Sequence, residues 1–297
     1  MHQRNGTTSA GRGSRRWLHV AFGALCLVLA SACAPSSLPR IPPVTEKPTQ
    51  LVKSGKFVWV DLVTQDVAEA KSFYGALFGW TFQDGDRYTP VLRDGVPIAG
   101  IVPARDPKRG SEWVGNLSVI DVDRSAALMT ERGGTLERGP VDAPDRGRIA
   151  LVSDSEGALV LLLRAKGGDP PDADPIVGGW LWWELWTHDV DAAMDLYSTL
   201  AGYEREIVDF RGQPYRVLRD AEARRAGVVA APPEVNPLWL PYVRVEDAEA
   251  TAARAVTLGA RVVMQDELTA ILVGPTGAAI GVGEWTGRVD EGAEAAQ

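Results

Sequence analysis

The same ten-residue pattern occurs twice in this chain, as Phe57-Val-Trp-Val-Asp-Leu-Val-Thr-Gln-Asp66 and as Trp180-Leu-Trp-Trp-Glu-Leu-Trp-Thr-His-Asp189. Each copy is rich in β-branched and aromatic residues, which favour strands. Each copy also ends in an aspartate, a preferred residue at the start of a helix. The pattern therefore predicts a strand followed at once by a helix, repeated after about 125 residues.

A helical pattern follows each copy, with apolar side chains at the spacing of a single helix face. The matching residues are Val67, Ala70, Tyr74 and Leu77 in the first copy and Val190, Ala193, Tyr197 and Leu200 in the second. Asp66 and Asp189 stand at the N-cap position, and Glu69 completes a capping box in the first copy. Gly79 and Gly202 are expected to end the two helices.

The correspondence continues beyond the helices. Tyr88 corresponds to Tyr215 and Trp113 to Trp239, each within a similar local sequence. Each copy closes with a predicted hairpin whose turn contains a glycine, Gly157 in the first copy. Each copy therefore has two halves, and each half is predicted to contain a strand, a helix and two or three further strands.

This repeat predicts an α+β fold made of two tandem domains, each of paired βαβββ modules. The first domain is expected over residues 53–166 and the second over residues 178–286. A stretch rich in glycine, proline and aspartate at 167–177 is expected to link them.

Two motifs resemble the vicinal oxygen chelate superfamily, which includes glyoxalase I, extradiol dioxygenases and bleomycin-resistance proteins. They are Trp59-x-Asp-Leu-x-Thr-x-Asp66 with the helix that follows it, and the closing Asp154-x-x-Gly-Ala158 hairpin. The tandem, tryptophan-rich arrangement resembles the 27-kilodalton antigen glyoxalase-like subgroup in particular. The resemblance implies curled sheets that enclose a cup, which holds a divalent metal in the active members.

The chain departs from that pattern where the resemblance implies metal ligands. The residues at these positions are Trp59, Gly100, Val114 and Leu161 in the first domain and Trp182, Gly227, Leu240 and Gly281 in the second. None of them ligates a metal through its side chain. His188 is the only histidine after residue 32, and it is expected in a solvent-facing loop. We therefore expect no metal or other cofactor and no glyoxalase-type activity.

Two acids keep other chemistry open. Asp61 and Glu184 lie two residues beyond Trp59 and Trp182, so strand alternation puts all four side chains on the cup face. Burial would push such a carboxyl group toward its neutral form, which can donate a hydrogen bond or act as a general acid or base. The alternatives are a structural carboxylate, a group that recognises a ligand, and an unusual metal ligand assisted by water.

Tryptophan is abundant in the predicted body, since nine of the ten residues follow Cys33. The predicted ligand-binding residues are Trp59, Asp61, Trp182, Glu184, Trp113 and Trp239. Flat rings in a cup would stack on an aromatic or cationic ligand, whereas core and interdomain packing is the alternative. Trp183 and Trp186 are predicted to point away from the cup and to pack.

The first 32 residues contain the three parts of a secretion signal. A basic stretch ends at Arg15-Arg16, an apolar run covers Trp17 to Ala30, and small residues precede Cys33. This order is typical of a bacterial lipoprotein, in which the thiol of Cys33 would carry the lipid. Ordinary secretion with cleavage near Ala32 and a retained membrane helix are the alternatives.

Residues 33–52 are predicted to form a proline-rich tether between the membrane and the domains, and residues 287–297 a disordered acidic tail. The expected location is the cell envelope, with the lipid anchor in the membrane and the body facing the periplasm or the exterior. The net charge is −8 and no basic stripe occurs, which argues against nucleic acid as a partner.

Together these observations predict an envelope-tethered protein that binds a small aromatic or cationic molecule in a tryptophan-lined cup, without the usual metal. A metal-dependent lyase, isomerase or dioxygenase of the same superfamily is one alternative. A non-catalytic envelope scaffold, with its cup closed by side chains, is the other.

Overall fold

The structure is a computed structural model that describes residues 41–85, 87–106, 110–210, 212–285 and 287. The predicted signal peptide, Cys33 and nearly all of the predicted tail lie outside these residues. Among the described residues, no helix is both long enough and apolar enough to span a membrane.

The first domain consists of two modules of similar order. The first module contains β1 (Phe57–Thr64), α1 (Val67–Phe78), β2 (Thr81–Phe82), β3 (Thr89–Arg93) and β4 (Val96–Pro103). The second module contains β5 (Glu112–Ser118), α2 (Val122–Glu131), β6 (Thr135–Ala143), β7 (Gly147–Ser153) and β8 (Leu159–Ala165).

The second domain repeats this order. Its first module contains β9 (Trp180–Thr187), α3 (Val190–Ala201), β10 (Glu204–Phe210), β11 (Gln213–Arg219) and β12 (Arg224–Ala230). Its second module contains β13 (Leu238–Val245), α4 (Ala248–Thr257), β14 (Arg261–Gln265), β15 (Thr269–Val273) and β16 (Ala279–Glu284).

Each domain is built on one eight-stranded mixed sheet, which confirms the predicted α+β fold of two tandem domains. The strand orders are β2-β3-β4-β1-β5-β8-β7-β6 and β10-β11-β12-β9-β13-β16-β15-β14. In the first sheet β1 is parallel to β4 and antiparallel to β5, and β9 has the equivalent partners in the second. The two modules of each sheet therefore pair within one domain, which the sequence left open.

The predicted helix boundaries are confirmed by the caps. Asp66 accepts a hydrogen bond from the amide of Glu69 at 2.8 Å, and Asp189 accepts one from the amide of Ala192 at 3.0 Å. Gly79 follows α1 with a φ of +72°, a left-handed conformation that a residue with a β-carbon adopts at a cost.

Aromatic rings join the two domains. Phe57 of β1 stacks on Trp183 of β9 with ring centroids 4.1 Å apart. The indole of Trp80 donates to the carbonyl of Gly178 at 2.8 Å, and the indole of Trp180 donates to the carbonyl of Ile98 at 2.9 Å. One hydrophobic core therefore continues from the helix side of the first domain into the second.

The described part of the predicted tether lies against the first domain. The amides of Thr49 and Gln50 donate to the carbonyl of Gly167 at 2.8 and 3.1 Å. Val44 packs beside Val58 and Leu161 on the sheet. The described part of the predicted tether therefore contacts the first domain at Val44, Thr49 and Gln50.

Candidate functional site

The candidate site occurs twice, on the sheet face opposite the helices, and we call the two copies cup 1 and cup 2. Cup 1 is centred on Asp61 of β1 and cup 2 on Glu184 of β9. Both residues stand in the middle of their sheet, where Asp61 pairs with Gly100 and Val114 while Glu184 pairs with Gly227 and Leu240. As predicted from strand alternation, Asp61 lies on the same sheet face as Trp59, and Glu184 lies on the same sheet face as Trp182.

In cup 1, three side chains donate hydrogen bonds to the carboxylate of Asp61. The indole of Trp59 donates to Oδ1 at 3.1 Å, and the hydroxyl of Tyr88 donates to the same oxygen at 2.7 Å. The amide of Asn116 donates to Oδ2 at 3.0 Å. Asp61 is thus an acceptor in its cup, whereas a neutral, donating carboxyl was one of the predicted alternatives.

Cup 1 also contains the guanidinium group of Arg146, which comes from the turn between β6 and β7. Its carbon Cζ lies over the ring of Trp59, 4.3 Å from the centroid. Nη2 donates to the hydroxyl of Tyr88 at 3.3 Å, while Nε and Nη1 have no hydrogen-bond partner among the described residues. Arg146 is only 1% exposed, so cup 1 is filled by a cation of the protein itself.

In cup 2, three side chains again donate to the central carboxylate. The hydroxyl of Tyr215 donates to Oε1 of Glu184 at 2.7 Å, and the hydroxyl of Tyr242 donates to Oε2 at 2.7 Å. The indole of Trp186 donates to Oε2 at 3.2 Å. The indole of Trp182 reaches the hydroxyl of Tyr215 at 2.9 Å, the same distance that separates Trp59 from Tyr88 in cup 1.

Glycines at three of the predicted metal-ligand positions make room for the tyrosine rings. A β-carbon on Gly100 would lie 2.2 Å from the hydroxyl of Tyr88, and one on Gly227 would lie 1.8 Å from the hydroxyl of Tyr215. A β-carbon on Gly281 would meet the ring of Tyr242 at 2.3 Å. Phenol rings therefore cover three of the eight strand positions at which the resemblance implied metal ligands.

The tyrosine hydroxyls of both cups keep their protons. Burial raises the pKa of Tyr88 well above its usual value, and the negative charge of Asp61 raises it further. Burial and the charge of Glu184 raise the pKa of Tyr215 and of Tyr242 in the same way. These groups therefore act as hydrogen-bond donors across the physiological pH range rather than as bases.

Two of the predicted cup tryptophans lie elsewhere. Trp113 pairs with Leu62, one residue beyond Asp61, and its indole donates to the hydroxyl of Tyr74 of α1 at 2.9 Å. Trp239 is equivalent in the second domain, where it donates to Tyr197 of α3 at 3.0 Å. Both are buried on the helix side of their sheets, because residues on neighbouring strands that pair directly share a face.

Trp186 was predicted to point away from the cup, and this prediction was wrong. It lies two residues beyond Glu184, so strand alternation puts it on the cup face, where its indole contacts that carboxylate. Trp183 does point away and packs against Phe57, as predicted.

Several residues of the cups were missed by the sequence reasoning. They are Tyr88, Asn116 and Arg146 in cup 1 and Tyr215, Trp186 and Tyr242 in cup 2. Tyr88 and Tyr215 had a usable signal, since they correspond in the repeat. Asn116 and Tyr242 also correspond, because they pair with Trp59 and Trp182. No feature of the sequence pointed to Arg146, because it lies in a turn whose sequence has no periodic pattern.

Side chains that commonly bind metal ions are not clustered among the described residues. These residues contain no group of three histidine, cysteine, aspartate or glutamate side chains close enough to share a metal. Each central carboxylate is instead surrounded by hydrogen-bond donors. His188 lies in an exposed loop, with Nδ1 3.6 Å from Glu156. A cavity of about 630 Å³ lies apart from both acids, between the N-terminal segment at Pro42 to Gln50 and the rim residues Pro90, Asp145 and Lys166.

Comparison with known proteins agrees with this architecture. A family model described as bleomycin resistance protein-like N-terminal matches residues 56–87. The chain is 33% identical over 220 residues to a Mycobacterium bovis protein named "Putative glyoxylase CFP32", a match that covers 70% of this chain and 84% of the relative. The chain therefore belongs to the glyoxalase-like proteins of the vicinal oxygen chelate superfamily.

Other similarities extend over most of the chain. The anthracycline biosynthesis protein DnrV of Streptomyces peucetius is 28% identical over 232 residues, which cover 70% of this chain and 83% of that protein. A Mn(II)-bound glyoxalase from Novosphingobium aromaticivorans has a TM-score of 0.55 at 15% identity, with 80% of this chain and 84% of that one covered. An extradiol ring-cleaving dioxygenase from B. fuscum has a TM-score of 0.55 at 13% identity, with 84% and 76% covered.

Proposed function

We propose that this protein binds a small aromatic or cationic molecule in cup 2, without a divalent metal, and that it does so at the cell envelope. The observation that carries the proposal is the set of rings around Glu184. Trp182 and Tyr215 are half-buried and Trp186 and Tyr242 line the same face, so aromatic surface and one carboxylate converge at one place.

The chemistry of cup 2 favours recognition over catalysis. Each oxygen of Glu184 already accepts a hydrogen bond from a tyrosine, and the tyrosines are held protonated by burial. A metal-assisted reaction needs several protein ligands, and Glu184 is the one carboxylate among these rings in the described part of the chain. The rings, in contrast, offer flat faces that stack on a ligand without any change of protonation.

The comparisons support a ligand-binding role in a general way. One relative is named for anthracycline biosynthesis, and anthracyclines are polycyclic aromatic molecules. The similar solved structures include a dioxygenase that cleaves rings. The names of the glyoxylase relatives favour the metal-dependent enzyme as the second candidate function.

A thermal-shift screen of the full-length chain tests the binding role. Small aromatic molecules, neutral and charged, should include compounds that raise the melting temperature of the wild type. The Trp182→Ala variant should lose this response, while Trp285→Ala, which removes a tryptophan outside the cups, should keep it. The proposal is wrong if no compound raises the melting temperature of Trp285→Ala more than that of Trp182→Ala.

Metal analysis of the same preparation, purified without chelator, tests the second candidate. About one divalent ion per domain, lost in Asp61→Ala or Glu184→Ala, would support a metal-dependent enzyme instead. Protein that contains no stoichiometric metal, and whose tryptophan fluorescence does not respond to divalent ions, would support the metal-free cup.

The envelope location rests on the lipoprotein-like signal before Cys33. We expect the protein to fractionate with membranes and to incorporate a radiolabelled fatty acid. The Cys33→Ala variant should lose the label. Equal labelling of both forms, or an unprocessed N-terminus on the membrane-bound protein, would contradict lipidation at this residue.

A further inference from the structure

The two cups differ in how they are filled, although their framework is the same. In each cup a tryptophan indole lies 2.9 Å from a tyrosine hydroxyl, which in turn donates to the central carboxylate at 2.7 Å. In each cup a glycine lies under that tyrosine ring. Cup 1 adds the buried guanidinium of Arg146 over the ring of Trp59.

The buried guanidinium group of Arg146 shows which kind of chemical group cup 1 accommodates. A buried cation without a carboxylate in direct contact is costly, so the site must compensate for its desolvation. The face of Trp59, the hydroxyl of Tyr88 and the nearby charge of Asp61 supply that compensation. In cup 1 the arrangement of tryptophan, tyrosine and acid therefore holds a planar cation of the protein itself.

The second domain lacks an arginine at the corresponding place. Arg146 precedes Ser153, the last residue of β7, by seven residues, and Asp266 precedes Val273, the last residue of β15, by the same number. Ser153 and Val273 correspond, because each pairs with the first residue of the strand that follows. The turn that delivers a cation to cup 1 thus carries an acid beside cup 2.

Two acids, Glu184 and Asp266, act on Tyr242 of cup 2. The pKa of Tyr242 is raised first by burial and then by the charge of Glu184, and the charge of Asp266 adds to the effect, which places that acid near the cup. Asp266 accepts hydrogen bonds from Leu268 and Thr269 in its own turn. Glu184 and Asp266 together favour a positive ligand over a neutral one.

Building on the proposed binding role of this cup, we propose that cup 2 takes an organic cation of the guanidinium class. Its plane would lie over the ring of Trp182, as Arg146 lies over Trp59. Its N–H groups would face the hydroxyl of Tyr215 and the carboxylate of Glu184.

A matched pair of probes tests whether the ligand of cup 2 must carry a positive charge. The n-butylguanidinium ion reproduces the end of an arginine side chain, and n-butylurea has nearly the same shape without the charge. Calorimetric titration of the full-length chain should show butylguanidinium binding at one site, roughly tenfold more tightly than butylurea. The preference should weaken as the salt concentration rises.

Two single variants locate the charge effect. Glu184→Gln should reduce the affinity for butylguanidinium roughly tenfold while leaving butylurea little changed. Glu131→Gln, which removes the same charge from an exposed helix end, should change neither affinity. Equal losses in both variants would indicate a general effect of net charge and would overturn the assignment to cup 2.

An Arg146→Ala variant provides a test that does not depend on Glu184. Removal of the internal guanidinium should turn cup 1 into a second site, so the binding stoichiometry of butylguanidinium should rise from one to two. Butylguanidinium should also raise the melting temperature of this variant more than that of the wild type, and butylurea should not.

The outcomes separate this inference from the binding role on which it rests. Equal affinities for butylguanidinium and butylurea would overturn the cation class and leave the binding role standing. Failure of butylguanidinium to bind, while neutral aromatic molecules bind through Trp182, would do the same. Failure of every probe, charged or neutral, would overturn both.

Discussion

At the residue scale, the cups depend on the absence of side chains at a few strand positions. Gly227 lies directly under the hydroxyl of Tyr215, and this hydroxyl connects Trp182 to Glu184. A tyrosine ring can lie flat over a strand only where the residue beneath it has no β-carbon. The backbone of Gly227 is not left-handed, so backbone conformation does not require glycine here. Glycine is required because a β-carbon would collide with the tyrosine.

We expect Gly227→Ala to displace Tyr215 and to break both of its hydrogen bonds. The added methyl group would lie 1.8 Å from the hydroxyl, so unfolding free energy should fall by about 1–3 kcal/mol. Chemical denaturation would measure the loss. Gly110→Ala is the control, because a β-carbon there meets nothing within 4 Å. Equal stability of the two variants would show that the ring moves aside at no cost.

At the element scale, the hairpin of one domain caps a helix of the other. Glu156, in the turn between β7 and β8, accepts hydrogen bonds from the amides of His188 and Asp189 at 2.9 and 3.3 Å and from the hydroxyl of Thr187. Of these donors, the amide of Asp189 stands at the N-cap of α3, where amide groups lack partners within the helix. A carboxylate also interacts favourably with the helix dipole there.

We expect Glu156→Gln to lower the unfolding free energy by about 0.5–1.5 kcal/mol at neutral pH. The amide keeps the shape of the side chain but loses the charge that the helix end favours. Denaturant melts would measure the change, with Glu131→Gln at an exposed position as the control. A stability equal to that of the control would mean that water satisfies the helix end equally well.

At the scale of the whole molecule, the linker is fixed by charges from both domains. Asp172 accepts two hydrogen bonds from Arg225 of β12, at 2.6 and 3.0 Å, and lies 2.9 Å from the ammonium of Lys56 next to β1. Asp169 accepts hydrogen bonds from the amide of Lys53 at 2.7 Å and from the hydroxyl of Ser118 at 2.6 Å. The predicted linker is therefore held to both domains through Asp172 and to the first domain through Asp169.

The hydrogen bonds from Arg225, followed by the charge and contact of Lys56, hold the pKa of Asp172 well below its ordinary value of 3.8, although burial opposes them. A group whose pKa is lowered by folding stabilises the folded state above its ordinary pKa and loses that contribution as the pH falls further. The stabilisation by Asp172 is thus complete at neutral pH and declines below about pH 4.

We expect Asp172→Asn to cost roughly 1–2 kcal/mol at pH 7, a value that allows for partial exposure of the carboxylate. The difference from the wild type should shrink as the pH falls below about 4. Stability measured against pH would show this, with the exposed Asp84→Asn as the control. A difference that stays constant down to pH 2 would rule out the charge as its cause.

The sequence by itself determined the repeat, the helix boundaries and the presence of an acid beside a tryptophan in each cup. These features depend on contacts within a few residues, such as the caps at Asp66 and Asp189, or on strand alternation, which fixes the relation of Asp61 to Trp59. The recurrence of Tyr88 as Tyr215 was also visible in the repeat, although its role was not.

Only the tertiary structure decided which residues meet across strands and loops. The facing of Trp113 depends on the register of β5 against β1, and a shift of one residue would reverse it. The entry of Arg146 into cup 1 depends on a turn with no periodic pattern, about 85 residues from Asp61. Local sequence encodes neither the register nor the path of a turn, because both are set by packing between distant segments.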